Sequence, residues 1–398
     1  VYWDADKYYI DDKLQESGKF LRENFVNLGI SEPNWIGNSL AESAINIKMI
    51  GSPLEVSQAK VLGSELEKLR QVGSLKTAII LPDDSLLMPV LRSIPGNIEA
   101  INITMGYSFK NSLLYSLFEL LRDLNLNSRG EGKSKEFYHK DIIGVLLHPY
   151  IRETAPDVIN EAVTSINKRN VIYASAKYLK SFFKEEIDIA DAIFGSAQTA
   201  SESYNYLNGI IVKLSEIIIK STRSNIYENE FLNKASTELN RIKDIIDKYT
   251  AEIESETFWN ILLESAKRMK IPFSGEPLEG IQIMGMLETR SLDFDNVYIL
   301  SVNEGILPAE MSSSSFIPFA LRKAFKLPVS EDTEADYAYY FYRLFQKAKN
   351  VTLIYNTETG VISAGEKSRF IMQVESELAA KNKNITAQNL LLEGDIEL

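Results

Sequence analysis

Residues 281–308 read IQIMGMLETRSLDFDNVYILSVNEGILP and confine the chain more than any other stretch. Two near-continuous apolar runs, 281–286 and 297–302, are separated by a polar turn of Glu288, Thr289, Arg290 and Ser291. The second run leads into Asn303-Glu304-Gly305 and then Pro308. Apolar runs without alternation are the pattern of strands covered on both faces, which is the parallel sheet flanked by helices. Ligands of such sheets gather at the carboxyl ends of the strands. The polar residues of this stretch cluster after each run, so the expected fold class is α/β with a functional edge there.

The totals narrow the field. A chain of 398 residues holds two or three domains. No run of about 18 apolar residues is present, so no membrane span is expected. The opening Val1-Tyr2-Trp3-Asp4 lacks a basic segment followed by an apolar one, and a cytoplasmic location is expected. With no cysteine and only His139 and His148, the chain has no thiolate metal site and little material for a histidine-based triad. The net charge of -12 argues against a broadly basic surface for duplex DNA but leaves room for a local groove.

Taken in order, the chain alternates strands and helices at both ends. A helix is expected over 12–28, stopped by Gly29, then a strand over 44–50, the turn Gly51-Ser52-Pro53, and a helix over 56–71 that carries Gln58. The run TAIIL (77–81) is a strand, Pro82-Asp83-Asp84-Ser85 a turn and helix cap, and 101–105 a further strand. From 112 to 266 the periodicity is helical almost throughout, with one helix expected over 236–269. An excursion this long is a domain with its own core rather than a loop. Gly130-Glu131-Gly132-Lys133-Ser134 mimics the end of a phosphate-binding loop, but Asn127 stands where the first glycine belongs and a helix precedes it. Residues 168–184 mix Lys168, Arg169, Lys177, Lys180 and Lys184 with Tyr173, Tyr178, Phe182 and Phe183. That mixture suits single-stranded DNA and equally suits an amphipathic helix with its rings inward. After 308 come a Ser-rich loop over 311–315, a helix over 316–325, the stretch EADYAYYFYRLFQKAKN (334–350), a strand over 351–355, and a helix with an acidic tail over 366–398.

Several of these stretches resemble the motifs of superfamily 1 DNA helicases. Ser291-Leu292-Asp293-Phe294, the strand after it and Glu304-Gly305-Ile306-Leu307-Pro308 match the family's "GLEF, strand, EGxFP". Trp3-Asp4-Ala5-Asp6 sits where "GDxxQSIY" has its acidic turn, with Lys7 in place of the glutamine. Residues 334–349 match "EERRLxYVAxTRAK", with Lys347 at the arginine finger. Within the superfamily the chain is similar to the helicase-like B subunit of AddAB (RecBCD-type) helicase–nucleases of Bacteroidetes-like bacteria, in the PD-(D/E)XK nuclease family. The resemblance extends over nearly the whole chain and marks it as an internal piece of a longer protein.

The resemblance implies a RecA-like parallel-sheet domain, the second of the helicase pair, carrying a large all-helical insertion. The implied division is 1–39 as the end of the first RecA-like domain, 40–112 and 273–365 as the two parts of the second, 113–272 as the insertion, and 366–398 as a helix and tail leading towards a nuclease domain. It implies a parent that uses ATP and Mg²⁺, acts on DNA ends in double-strand-break repair, holds single-stranded DNA and works with an AddA-like helicase subunit. On the nucleotide side it points to Arg290, Asp293, Arg343 and Lys347. On the DNA side it points to Thr104, Gly106, Tyr107 and Asn111 at one strand exit, and to Asn303 and Glu304 at another. Motor parts are missing: there is no GxxxxGK[ST], Gly285 and Leu287 replace a threonine and a histidine, the turn at Gly51 lacks its phosphate-sensing arginine, and the finger is a lysine. A lysine is a point charge and cannot reproduce the bidentate grip of a guanidinium on phosphate. No bound nucleotide and no catalysis are therefore expected of this piece. The competing class is a non-catalytic scaffold that grips DNA or a partner motor, and a weaker third is an unrelated α/β protein.

Overall fold

The apolar runs become strands of one seven-stranded sheet, all of whose pairings are parallel. In the computed structural model the described residues are 3–31, 33–35, 37–68, 76–98, 100–130, 132–183, 187–195, 197–220, 226–249, 253–272, 280–309, 316–358 and 365–392. The Ser-rich loop over 311–315, Lys184, Glu131 and the acidic tail lie outside them. The chain divides into two units, one made of Val1–Gly106 with Pro272–Leu398, the other of Tyr107–Ile271.

The first unit holds the sheet. Its strands are β1 (Ile45–Ser52), β2 (Thr77–Ile80), β3 (Ile101–Ile103), β4 (Ile281–Met284), β5 (Asn296–Ile299), β6 (Asn350–Asn356) and β7 (Ile385–Leu391). They lie in the order β7-β1-β6-β5-β2-β4-β3. Every residue of β2 and β4 is buried, as strands covered on both faces require. The register sets Ile79 between Ile283 and Tyr298. Ile47, Met49, Ile80, Val297 and Leu353 share one core with Phe341, Phe345 and Phe370, which lie on helices Ser330–Phe345 and Arg369–Gln373. Ile50 and Ile79 are also buried, and so are Ala59, Leu62 and Leu66 of helix Glu55–Glu67. Gly280 opens β4 at a positive φ of 78°, where a Cβ would stand 2.0 Å from the Ala100 carbonyl oxygen. Only glycine fits.

Strand order shows where the connections change direction. Connections leaving β1 and β2 run towards β3, whereas those leaving β4, β5 and β6 run towards β7. The direction reverses between β1 and β6 and between β2 and β5, which are neighbours. Carboxyl ends at such reversals are where open α/β sheets bind ligands. One expectation is corrected at the C-terminal end. Residues 385–391, read as helix and tail, form β7 on β1.

The second unit is built mainly of helices, including Leu113–Leu126, His139–Leu147, Pro156–Lys168, Ala200–Lys220, Ile226–Tyr249 and Ser255–Arg268. Ser112 caps the first of these by accepting from Tyr115 N–H at 3.1 Å. Phe109, Phe118, Leu121, Phe137, Phe258 and Trp259 share its core. Two expectations are corrected here. The stretch 113–272 is not all helical: Glu136–Tyr138 pairs antiparallel with Tyr173–Ser175, and Tyr107–Ser108 pairs with Lys270–Ile271 just outside the expected boundary. Ladders this short leave no period-2 signal to read. The expected helix over 236–269 is two, Ile226–Tyr249 and Ser255–Arg268: before the second, the Ile253 carbonyl accepts from Ala200 N–H, and Ser255 N–H at its start donates to the Gln198 carbonyl.

His148 caps helix Pro149–Arg152, its Nδ1 accepting from Tyr150 N–H at 3.3 Å while Nε2–H donates to the Leu113 carbonyl at 3.0 Å. Burial lowers its pKa from the ordinary 6.5, with the Leu113 bond opposing. The unfolded chain thus takes up a proton more readily than the folded one. The contribution is complete above 6.5 and is lost as the pH falls below it towards the folded value. Melts of the wild type should show this loss, at most about 1.4 kcal/mol per pH unit. His148→Asn keeps a cap without a titrating ring, and equal slopes in the two proteins would discount His148 as the cause.

Candidate functional site

Two of the four nucleotide-side candidates, Asp293 and Arg343, meet at one guanidinium, together with Asp4. Helix Ser330–Phe345 buries Ala338, Phe341 and Phe345. It is held at its start by Asp332, which accepts from Val329 N–H at 2.9 Å. Arg343 lies near its other end and is 8% exposed. Its Nε donates to the Asp4 carboxylate, and its Nη1 to Asp293 Oδ1 at 2.8 Å. Burial works against the charge on Arg343, but the bonds from Asp4 and Asp293 outweigh it and hold the pKa above the ordinary value. Asp4 is itself held by its carbonyl, which accepts from Tyr339 Oη at 3.0 Å. Asp6, its neighbour in the acidic turn, is buried and bonds the N–H groups of Tyr8 and Leu40 at 3.0 and 3.1 Å.

Arg290 and Lys347 stand apart from this triad. The Arg290 guanidinium lies 5.0 Å from the centre of the Tyr340 ring, a cation–π contact. Burial raises the pKa of Asp336 on the same helix, and the charge of Arg290 opposes that rise. Lys347 is exposed and makes no ion pair among the described residues. The residues present do not fit ATP and Mg²⁺ as the resemblance implies. A phosphate brought to Arg343 meets two carboxylates that already occupy the guanidinium, and the finger position holds only a solvated point charge.

The strand exits are tied together by their own polar groups. At the end of β3, Thr104 N–H donates to the Ile283 carbonyl at 3.0 Å, and Thr104 Oγ1 donates to Glu288 at 2.5 Å. Glu288 also accepts from Gly285 N–H at 3.2 Å, so the exits of β3 and β4 are joined. Gly106 is half-buried. At the end of β5, Asn303 is buried and its amide is used on both sides. Its Nδ2 donates to the carbonyls of Asn356 (2.7 Å) and Glu366 (3.1 Å), and its Oδ1 accepts from Asn356 N–H at 2.8 Å. Glu304 takes the Arg369 guanidinium at Nε (2.8 Å) and at Nη2, together with the Arg369 backbone N–H at 3.0 Å. Both side chains are therefore committed to the exits of β5 and β6. In the sequence Gln58 is the polar candidate nearest the Gly51 turn, where the resemblance expects a phosphate-sensing arginine, and equally a plain helix residue; neither reading holds its bond. Gln58 is 1% exposed, and its Oε1 accepts from the N–H of Ser301, a residue at positive φ, at 2.8 Å.

Within the second unit, the Tyr107 hydroxyl donates to the Asn111 carbonyl at 2.9 Å, and its ring meets Phe231 edge-on at 5.6 Å. Tyr107 packs against that unit's core, while Asn111 is exposed. In the basic and aromatic stretch, Tyr178 and Phe182 face the core, Phe183 is buried and Lys180 pairs with Asp191 at 2.6 Å. Tyr173 alone among its rings is directed elsewhere. Compared with known proteins, the chain matches no protein-family model and no curated protein.

Proposed function

We propose that this chain is the second RecA-like domain, with its helical insertion, of an AddB-like superfamily 1 helicase–nuclease subunit, and that it holds single-stranded DNA while a partner subunit drives movement. One observation carries the reading. Asp4, Asp293 and Arg343 come from the three stretches that resemble helicase motifs, lie far apart in the chain, and meet at one guanidinium. An unrelated α/β protein has no reason to join those three stretches. The same observation favours the non-motor role, because the cation that remains beside the finger position is already bonded to two carboxylates. The parallel sheet and the position of Thr104 and Gly106 at a strand exit support a DNA-facing edge.

Two assays test the reading. Phosphate release from ATP is expected to stay at background with or without DNA; a DNA-stimulated rate would overturn the non-motor role. Labelled single-stranded DNA is expected to bind weakly and measurably only at low salt, because few cations act against a net charge of -12. No binding at low salt would sink the DNA-holding role.

A further inference from the structure

The ladder of Glu136–Tyr138 with Tyr173–Ser175 has two different faces. Phe137 and Ala174, paired across it, point into the core of the second unit and are buried. Tyr138 and Tyr173, the next pair along, point the other way. Both rings are half-buried, yet neither belongs to the partly buried side chains packed on that core, unlike Tyr107, Tyr178 and Phe182. They meet each other at 5.6 Å. The Arg129 guanidinium lies 3.8 Å from the centre of Tyr173, and the His139 ring is 4.6 Å from Tyr138. Four flat groups thus lie side by side on the outer face of a small antiparallel sheet.

The charge around them is positive in a chain that is acidic overall. Residues 168–180 contain Lys168, Arg169, Lys177 and Lys180 and no acid, while the whole chain carries -12. Lys168, Arg169 and Lys177 are exposed, as is Lys140, which follows His139. None of these four is in an ion pair among the described residues. Arg169 precedes one ladder strand and Lys177 follows it, and His139 N–H donates to the Ile172 carbonyl at 3.0 Å, which sets Lys140 beside the same strand. Glu136 and Asp141 are opposing charges nearby; Glu136 is bonded to Arg129 at 2.8 Å, and Asp141 accepts from Asn127 Nδ2 at 3.0 Å.

We infer that this face binds single-stranded nucleic acid, with bases on the Arg129–Tyr173–Tyr138–His139 layer and phosphates against Lys140, Lys168, Arg169 and Lys177. Stacked rings and guanidinium planes accept any base, and flanking cations track the backbone. The inference shares its ligand class with the function proposed above but rests on residues of the second unit instead of those of the sheet unit.

The test is fluorescence anisotropy with labelled oligo(dT) and oligo(U) at about 50 mM salt. Tyr138→Ala/Tyr173→Ala is expected to weaken binding about tenfold or more, whereas Tyr138→Phe/Tyr173→Phe keeps the rings and the affinity. Lys168→Gln/Arg169→Gln is expected to reduce the salt slope by about 0.7 for each cation removed. Circular dichroism melts confirm that each variant is folded. Tighter binding of either oligonucleotide names its source as DNA or RNA. Binding left unchanged by the alanine pair overturns this face while the DNA-holding role stands. No binding of either oligonucleotide by the wild type overturns both. Equal capture of polyglutamate, a competing partner for the cations, with no dependence on the rings also overturns it.

Discussion

Asn303→Ala is expected to lower the stability of the sheet unit by about 3 kcal/mol, read by urea or thermal melting. The amide makes three bonds to backbone groups of Asn356 and Glu366; removing it takes this partner from the buried Asn356 carbonyl and N–H, while the Glu366 carbonyl keeps the Glu304 N–H at 3.0 Å. Each orphaned buried group costs about 1–3 kcal/mol, reduced where water re-enters. Glu304→Gln keeps the shape of its neighbour and loses only charge against Arg369. Its side chain and that of Arg369 are 27% and 39% exposed, so about 1 kcal/mol is expected there. Asn303→Ala that melts like the wild type but loses single-stranded DNA binding would show the opposite, an amide held ready for a ligand.

Arg343→Ala has the second large expected effect, about 2–3 kcal/mol. Breaking a buried ion pair by removing one partner costs about 3–5 kcal/mol. The figure is lower here because Asp4 and Asp293 are 39% and 52% exposed and regain water. Arg343→Lys should recover little, since one ammonium cannot bridge two carboxylates in the plane of a fork. Arg343→Met with Asp4→Asn and Asp293→Asn removes the charges together and should be milder than Arg343→Ala alone. If Arg343→Ala melts with the wild type, the triad is not a structural lock and its guanidinium is available for other work.

The sheet was legible because its strands carry their environment in their own residues. TAII and IQIM are apolar except at Thr77 and Gln282 and do not alternate, as doubly covered strands require, and all four strands expected from such runs lie in one parallel sheet. The last strand was not legible. Ile385–Leu391 is almost wholly exposed and reads ITAQNLL, with neither unbroken apolarity nor alternation. It is recognisable only by its partner β1. The site was legible to the same limited degree. Asp293 and Arg343 were singled out from their stretches, but nothing local says that one bonds the other or that Asp4 completes the set. Asn303 looked like a polar residue at an open strand end. Its partners lie more than fifty positions later, and a buried clamp has the same local sequence as an exposed contact. Tyr173 was singled out with the basic stretch 168–184, but its pairing with Tyr138 was not legible, because the rings become one surface only when two three-residue strands pair.

The pairing of Tyr107–Ser108 with Lys270–Ile271 holds the first and last residues of the helical unit side by side. The excursion between β3 and β4 therefore starts and finishes at one place, however long it is. Lengthening or shortening the excursion changes neither the register of β3 on β4 nor the distance the chain must span. A segment held in this way can be gained, lost or exchanged over evolutionary time as one cassette. The sheet and the unit beyond it are then free to diverge at different rates.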